Sequence, residues 1–415
     1  MSDGRDEVIV HLDASDLGAP RALGSLRRAR KGTVVDVAFS YDSSWLAADD
    51  SFDVDPGLGR YEGDQRTRHG GLHGIFSDTA PDRWGRLLLE RREAQAARRE
   101  GRRARTLDEW DFLVGVSDEL RMGALRFARP DDGEFLAVGS PTVPPTARLR
   151  ELQHYAELAE RGAPLSDAEA EAEVALLIAP GSSLGGGRPK ANFRGDDGAL
   201  WIAKFPSRDD RRDVGAWEFV LNQLAGAAGI AVPETQLLEL RGAYRTFCGR
   251  RFDRVGAGRR LFASAMTLTQ KRDGEAASWL DIVEAIERYG DPSAIEQDLE
   301  QLFRRAVFAV IAAHRDDHLR NHGFLRATNG WRLAPAFDLN PLPDKAEHTI
   351  AFDDQVRAPD PALVRETARY YRLTDRRAEA VEDEVRAAVV RWRESARSLA
   401  IPRDEIDLMG SVLDA

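Results

Sequence analysis

The sequence predicts an α+β fold in which sheet segments come first and helices come last. Short runs of β-branched and aromatic residues occur at Val8–Leu12 and Thr33–Phe39, and they return at Ala199–Phe205. Leu299–Ala313 is almost continuously apolar, which is typical of a buried helix, and helical periodicity dominates from Asp360 onward. A β-rich N-terminal part and a mostly helical C-terminal part are therefore expected.

Size, charge and cysteine content limit the possible classes of protein. A chain of 415 residues is too long for one ordinary core, so we predict three subdomains at 1–130, 131–250 and 251–415. Lys and Arg total 59 and Asp and Glu total 70, and the net charge of -11 argues against a wholly basic nucleic-acid binder. The sequence has one cysteine, and it shows neither the apolar core of a signal peptide nor an apolar stretch long enough to span a membrane. These features predict a cytoplasmic protein that does not enter a membrane.

Local signals in the first 130 residues predict the individual elements. Trp45–Ala48 has the composition of a short strand. Thr106 and Glu109 have the spacing of a capping box, which predicts a helix that begins at Leu107.

A glycine-rich segment precedes the predicted central hairpin. Its residues run from Gly181 through Gly185, Gly186 and Gly187 to Arg188, Pro189 and Lys190. Backbone N–H groups without side chains can approach an anion, and Lys190 adds charge. The segment does not fit the Walker pattern, and an ordinary turn is the alternative reading.

Lys204 lies inside an apolar strand pattern, between Ala203 and Phe205. A lysine there needs a carboxylate or phosphate partner unless it faces water at a sheet edge. The helix predicted at Asp213–Ala228 carries Glu218, which is the candidate ion-pair partner.

The stretch from His314 to Asn321 follows the buried helix, and Asp338 comes shortly after it. Asp316, Asn321 and Asp338 provide one carboxylate for an attacking hydroxyl and two oxygen ligands for Mg²⁺. Their order after a glycine loop, a strand lysine and a helix glutamate is that of protein kinases. The expected cofactors are ATP and Mg²⁺, with Asn321 and Asp338 as the metal ligands.

Several motifs together resemble the HipA family. They are SSLGGGRPKA at 182–191, AKFP at 203–206, RRFDR at 250–254, DDHLRNH at 316–322 and APAFDL at 334–339, with SDTAPDRWGR at 77–86 and MGALRF at 122–127 in the N-terminal part. The resemblance implies a two-lobed protein-kinase-like fold and a serine/threonine kinase toxin of a toxin-antitoxin pair. It also implies a protein substrate such as glutamyl-tRNA synthetase or another translation factor. The implied partner is a small helix-turn-helix antitoxin, through which the protein would meet DNA only indirectly.

The resemblance assigns roles residue by residue. Asp316 is similar to the catalytic base, Lys204 to the phosphate-binding lysine and Ser183 to an autophosphorylated serine. The remaining nucleotide contacts are implied for Gly185, Gly186, Gly187, Arg188, Pro189 and Lys190, for Arg250, Arg251 and Phe252, for His318, Leu319, Arg320 and Asn321, and for Phe337, Asp338, Leu339 and Asn340.

Three alternatives stay open at this point. The first is a catalytically silent corepressor that binds an antitoxin and DNA through arginine-rich surfaces. A kinase for a small molecule or lipid is the second, because the motifs determine the phosphate chemistry and not the acceptor. His314 and His318 also have a spacing that suits zinc, although no third ligand motif is evident. Asp317 has no role in any of these readings.

Overall fold

The structure is a computed structural model that describes residues 6–31, 34–136, 143–162 and 187–414. It divides into two compact units, of which one contains the chain up to Ala203 together with Asp253–Ala263. The other contains Lys204–Phe252 and Ser264–Ala415. The three predicted subdomain ranges stay a prediction.

The described residues form strands, α-helices and short 3-10 turns in a mixed order. The strands are β1 (Glu7–Leu12), β2 (Arg21–Lys31), β3 (Val34–Tyr41), β4 (Leu125–Ala128), β5 (Lys190–Arg194), β6 (Leu200–Lys204), β7 (Thr235–Leu238), β8 (Thr246–Arg250), β9 (Arg254–Val255), β10 (Gly258–Arg259), β11 (Phe262–Ser264), β12 (Gly323–Ala327) and β13 (Gly330–Leu333). The helices are α1 (Ser43–Ala47), α2 (Gly74–Ser77), α3 (Arg83–Arg99), α4 (Glu109–Val114), α5 (Leu149–Arg161), α6 (Val214–Ala227), α7 (Ala265–Leu268), α8 (Trp279–Tyr289), α9 (Ile295–Ile311), α10 (Pro361–Glu366), α11 (Asp375–Val389), α12 (Trp392–Ser398) and α13 (Arg403–Leu413). Single 3-10 turns occur at Thr146–Arg148, Leu319–Asn321 and Ala368–Tyr371.

The first unit opens with an antiparallel sheet in the order β3-β2-β1-β4. Val8, Val10 and Leu12 of β1 point into the core, as the period of two along a half-buried strand requires. The strand predicted at Trp45–Ala48 is wrong, because this segment belongs to α1. The side chain of Asp42 accepts a hydrogen bond from the backbone N–H of Ser44 and so caps a helix there.

Two capped helices follow in the same unit. Asp82 caps α3 by accepting from the N–H of Gly85 at 2.9 Å. The predicted capping box of Thr106 and Glu109 is wrong in its residues, because Asp108 and Asp111 form the box that begins α4. The helix itself is confirmed.

The predicted central hairpin is confirmed as β5 and β6, joined by a turn at residues 195–198. Gly198 has a φ of +78°, a conformation that residues with a side chain rarely adopt. This hairpin places Lys204 at the end of β6.

The second unit is mostly helical and carries two small antiparallel pairs, β7 with β8 and β12 with β13. Helix α6, capped by Asp213, packs against α11 and α12, and the buried helix α9 packs against α8, α10 and α11. Within the described ranges, helices of the length and apolar character that a bilayer crossing needs are absent. The chain leaves α9 directly into the stretch that begins at His314.

Candidate active site

Lys204 lies between two carboxylates of the second unit. Its Nζ atom hydrogen-bonds Glu218 of α6 and lies 2.6 Å from Oδ1 of Asp338. Burial opposes the charge on this lysine, but the attraction of Asp338 and Glu218 outweighs that effect and raises the pKa of the ammonium. The fold thus brings together the lysine, the glutamate and the second aspartate that the sequence indicates.

Asp338 has a left-handed backbone conformation, with a φ of +60°. Such a conformation is uncommon for a residue other than glycine, although Asp tolerates it better than most residues. Backbone strain of this kind clusters at functional sites, where the surrounding structure holds it in place. Here the ion pair with Lys204 is one of the contacts that hold the side chain.

Asn321 folds back onto Asp316, the candidate base. Its Nδ2 atom donates to the backbone oxygen of Asp316 at 2.7 Å. Its Oδ1 atom is buried and has no hydrogen-bond partner among the described residues. A buried amide oxygen without a donor is costly unless a cation or another donor is present, so Asn321 and Asp338 fit Mg²⁺, which prefers oxygen ligands.

His314 connects the two loops of the site through backbone contacts. Its Nδ1 atom lies 3.1 Å from the oxygen and 3.2 Å from the nitrogen of Asn340. Burial lowers the pKa of His314, so the ring is neutral at pH 7. In the ranges that the structure describes, no group of three or more His, Cys, Asp and Glu side chains is placed to hold a metal ion.

Asp316 and Asp317 point to different surroundings although they are neighbours in the chain. The Asp316 side chain is 53% exposed, whereas that of Asp317 is 0% exposed. Asp317 accepts hydrogen bonds from Nε1 of Trp279 at 3.1 Å and from the N–H of Thr349 at 2.9 Å, and Nδ1 of His348 lies 3.0 Å from it. Burial opposes ionisation of Asp317, but the contacts with His348 and Thr349 lower its pKa to about 2.

The predicted connector and the second aspartate loop meet through two aromatic rings. The ring centroids of Phe252 and Phe337 are 5.5 Å apart. Arg251 is buried, and the exposed Arg250 pairs with Glu234 at 3.0 Å. The contact to adenine predicted for this connector stays a prediction.

The glycine loop is described only from Gly187 onward, and Ser183, Gly185 and Gly186 lie outside the described residues. Lys190 is 2% exposed, and its Nζ atom lies 2.5 Å from Oδ2 of Asp82. Its backbone oxygen accepts from Nε1 of Trp84, and a side chain added at Gly187 would meet Arg83. Arg188 and Pro189 lie between Gly187 and Lys190. The contacts of Asp82 and Trp84 with Lys190 therefore hold the C-terminal end of the glycine loop in place.

The other predicted nucleotide contacts are spread over both loops. Leu319 and Leu339 are buried, and Arg320 pairs with Asp273 at 2.8 Å. Nδ1 of His318 and Oδ1 of Asn340 are buried, and neither has a hydrogen-bond partner within the described part of the chain. The roles assigned to all of these residues stay predictions.

Lys345 and Thr349 were not found from the sequence. Lys345 Nζ lies 3.6 Å from Oδ1 of Asp316, and Thr349 Oγ1 lies 3.4 Å from the same atom. The segment that carries them has neither a motif nor regular spacing. The one signal that the sequence offers for this segment is Asp317, the second aspartate of the pair, because a buried carboxylate needs hydrogen-bond donors from another part of the chain.

Comparison with known proteins shows the family. Residues 182–393, just over half of the chain, match the HipA-like C-terminal domain, and residues 19–128 match the HipA N-terminal domain. The chain therefore belongs to the HipA family. No curated protein matches the sequence significantly.

Two solved structures are similar to this chain. The first is the HipA, HipB and operator DNA complex of the Shewanella oneidensis MR-1 toxin-antitoxin system, with a TM-score of 0.66 and 15% identity over 98% of this chain and 96% of the other. The second is the Helicobacter pylori proinflammatory kinase CtkA, with a TM-score of 0.44 and 16% identity over 55% of this chain and 88% of the other. The first likeness and the mixed content of helix and sheet confirm the predicted α+β, HipA-like fold.

Proposed function

We propose that this protein is a serine/threonine protein kinase of the HipA toxin type that depends on ATP and Mg²⁺. One observation carries the proposal: Lys204 pairs with both Glu218 and Asp338, in the unit that also holds the Asp316–Asn321 loop. A cation held between a helix glutamate and a metal-binding aspartate is the arrangement that active kinases use for ATP phosphates.

The proposed reaction is in-line transfer of a phosphoryl group. The oxygen of the acceptor hydroxyl forms a bond to the γ-phosphorus, and the bond from that phosphorus to the β,γ-bridging oxygen breaks with its electron pair leaving on ADP. Asp316 is exposed enough to meet a protein substrate, and its carboxylate accepts the hydroxyl proton. Lys204 offsets the negative charge of the phosphates.

Asn321 and Asp338 are the residues that would hold Mg²⁺. When bound, the ion neutralises charge on the phosphate oxygens. The Oδ1 atom of Asn321, which has no hydrogen-bond partner in the part of the chain that the structure describes, supports this assignment, because the Nδ2 atom of the same side chain already donates to Asp316.

For the partners, we propose a protein substrate, with glutamyl-tRNA synthetase or another translation factor as the first candidate. We also propose a small helix-turn-helix antitoxin that links the protein to DNA. The similar Shewanella structure contains HipB and operator DNA, which supports this choice.

Transfer of label from ATP to proteins of a lysate tests the function and the substrate together. The wild-type protein is expected to label a discrete protein in the presence of Mg²⁺ and to lose this activity with EDTA. Asp338→Asn is expected to abolish labelling, whereas Asp407→Asn, at an exposed site on α13, makes the same chemical change and is expected to have no effect. Absence of both nucleotide binding and labelling in the wild type would favour the silent corepressor.

Autophosphorylation at Ser183 is proposed from the family resemblance. Adjacent serines provide a matched pair of variants: Ser183→Ala is expected to remove the phosphate found by mass spectrometry, and Ser182→Ala is expected to retain it. A phosphate that maps only to other positions would reject the role of Ser183.

A further inference from the structure

Lys345 lies beside the candidate base and has three neighbours there. Its Nζ atom donates to the backbone oxygen of Arg315 at 2.8 Å and hydrogen-bonds Oγ1 of Thr349. Its distance of 3.6 Å from Oδ1 of Asp316 is longer than the 2.7–2.9 Å, approximately, of a direct charged hydrogen bond. The carboxylate of Asp316 and the ammonium of Lys345 are therefore close but do not form a direct hydrogen bond.

The position of Lys345 is fixed by the buried carboxylate of Asp317. This carboxylate contacts the N–H of Thr349 and Nδ1 of His348, which lie four and three residues after Lys345. The backbone oxygen of Arg315 accepts from Lys345 and from Thr349 Oγ1, which joins the segment to the catalytic loop a second time. Lys345 thus differs from an ordinary exposed lysine, whose ion pair is usually weak and loosely held.

The negative charges of the site favour a second cation beside Lys204. Lys204 already faces two carboxylates, Glu218 and Asp338, and Asp316 adds another carboxylate to the same unit. An incoming phosphoryl group brings further negative charge toward Asp316. A lysine ammonium has three N–H donors, of which Arg315 and Thr349 take two. Among the described residues the third has only the carboxylate of Asp316, at 3.6 Å, beside it, so it can serve a group that approaches Asp316.

We propose that Lys345 contacts the phosphoryl group during its transfer and stabilises the charge that develops there, in addition to Lys204. The inference rests on the proposed kinase function. The bonds that form and break are those of the phosphoryl transfer described above, and Lys345 keeps its proton throughout. Asp317 is the positioning residue, because it holds the segment on which Lys345 lies.

The test separates binding of the nucleotide from binding of the group in transfer. Calorimetry with MgADP, alone and with aluminium fluoride as a mimic of the transferring phosphoryl group, is compared for wild type, Lys345→Met and Lys345→Arg. Lys271→Met is the matched control, because Lys271 is also half-buried, donates to a backbone oxygen and lies 3.3 Å from an aspartate. Steady-state kinetics on the same proteins give kcat and KM for ATP.

Lys345→Met is expected to bind MgADP within twofold of wild type but to bind the aluminium fluoride complex about tenfold or more weakly, with kcat lowered by about 10- to 100-fold and KM little changed. Lys345→Arg retains the charge and is expected to recover part of both losses, and Lys271→Met is expected to match wild type.

Unchanged kcat and unchanged binding of the aluminium fluoride complex in Lys345→Met would overturn the inference and leave the kinase function standing. Equal losses of MgADP and complex binding would also overturn it, because they would indicate a general disturbance of the site. A wild-type protein that neither binds MgADP nor transfers phosphate would instead refute the proposed function itself.

Discussion

Asp316 and Asp317 are adjacent in the chain, yet they belong to two different regions of the site. Asp316 is exposed to solvent, and its contacts with Lys345 and Thr349 are long. Asp317 faces the interior, where Trp279, His348 and Thr349 surround its carboxylate. One carboxylate is available for chemistry, and the other is fully used to hold the structure around it.

The difference shows that one loop can carry a carboxylate suited to catalysis next to a carboxylate that stabilises the surrounding structure. A carboxylate that accepts several hydrogen bonds is a poor base, because each of those bonds favours its charged form. A carboxylate exposed to solvent can approach a substrate but cannot anchor a segment by itself. Four changes test this division, beginning with the largest expected effect.

Replacing the exposed carboxylate is expected to affect turnover and not stability. Asp316→Asn is expected to lower kcat by about 10²- to 10⁴-fold, the usual contribution of a general base, with Tm unchanged. Asp407→Asn is the control for the same chemical change at an exposed site. Unchanged autophosphorylation in Asp316→Asn would reject the assignment of the base.

Replacing the buried carboxylate is expected to affect stability first. Asp317→Ala leaves the buried donors of Trp279, His348 and Thr349 without an acceptor and is expected to lower the free energy of unfolding by ~3 kcal/mol in urea titrations. Asp317→Asn keeps one acceptor oxygen and is expected to lose about half as much. Equal stability of wild type and Asp317→Ala would contradict the anchoring role.

The stability contributed by Asp317 is expected to depend on pH in the acidic range. The pKa of this carboxyl is lowered from 3.8 to about 2 in the folded protein, so the folded state binds its proton less readily than the unfolded state. The contribution is complete above pH ~4 and disappears as the pH falls toward 2, a change of ~2 kcal/mol. The free energy of unfolding of Asp317→Asn is expected to lack this pH dependence. If the free energy of unfolding changed with pH in the same way in both proteins, Asp317 would not be its source.

The smallest expected effect is on the hydroxyl that joins the two regions. Thr349→Val keeps the N–H that binds Asp317 but removes the Oγ1 atom that contacts Lys345, and kcat is expected to fall by about 3- to 10-fold, the equivalent of one hydrogen bond. Thr349→Ser keeps the hydroxyl and is expected to retain kcat. Full kcat in Thr349→Val together with a loss in Thr349→Ser would mean that packing of the methyl group, and not the hydroxyl, is responsible.

Part of the fold and of the candidate site could be predicted because its signals are local. The hairpin through Gly198, the buried helix α9 and helix α6 follow from turn residues and apolar periodicity over a few residues. The composition of the segment at Trp45 favours a strand, whereas the cap that Asp42 provides begins a helix there. Short elements of this kind depend more on caps and burial than on propensity.

The sequence by itself determined which chemical groups are present and in what order, and that was enough to indicate Lys204, Glu218, Asp316, Asn321 and Asp338. Only the tertiary structure decided their neighbours. It buried Lys190 against Asp82, a partner 108 residues away, and it brought Lys345 to Asp316 and Thr349 to Asp317. Contacts between distant residues depend on how the elements pack, and no local spacing records them, so Asp317 gained a role only when its surroundings were known.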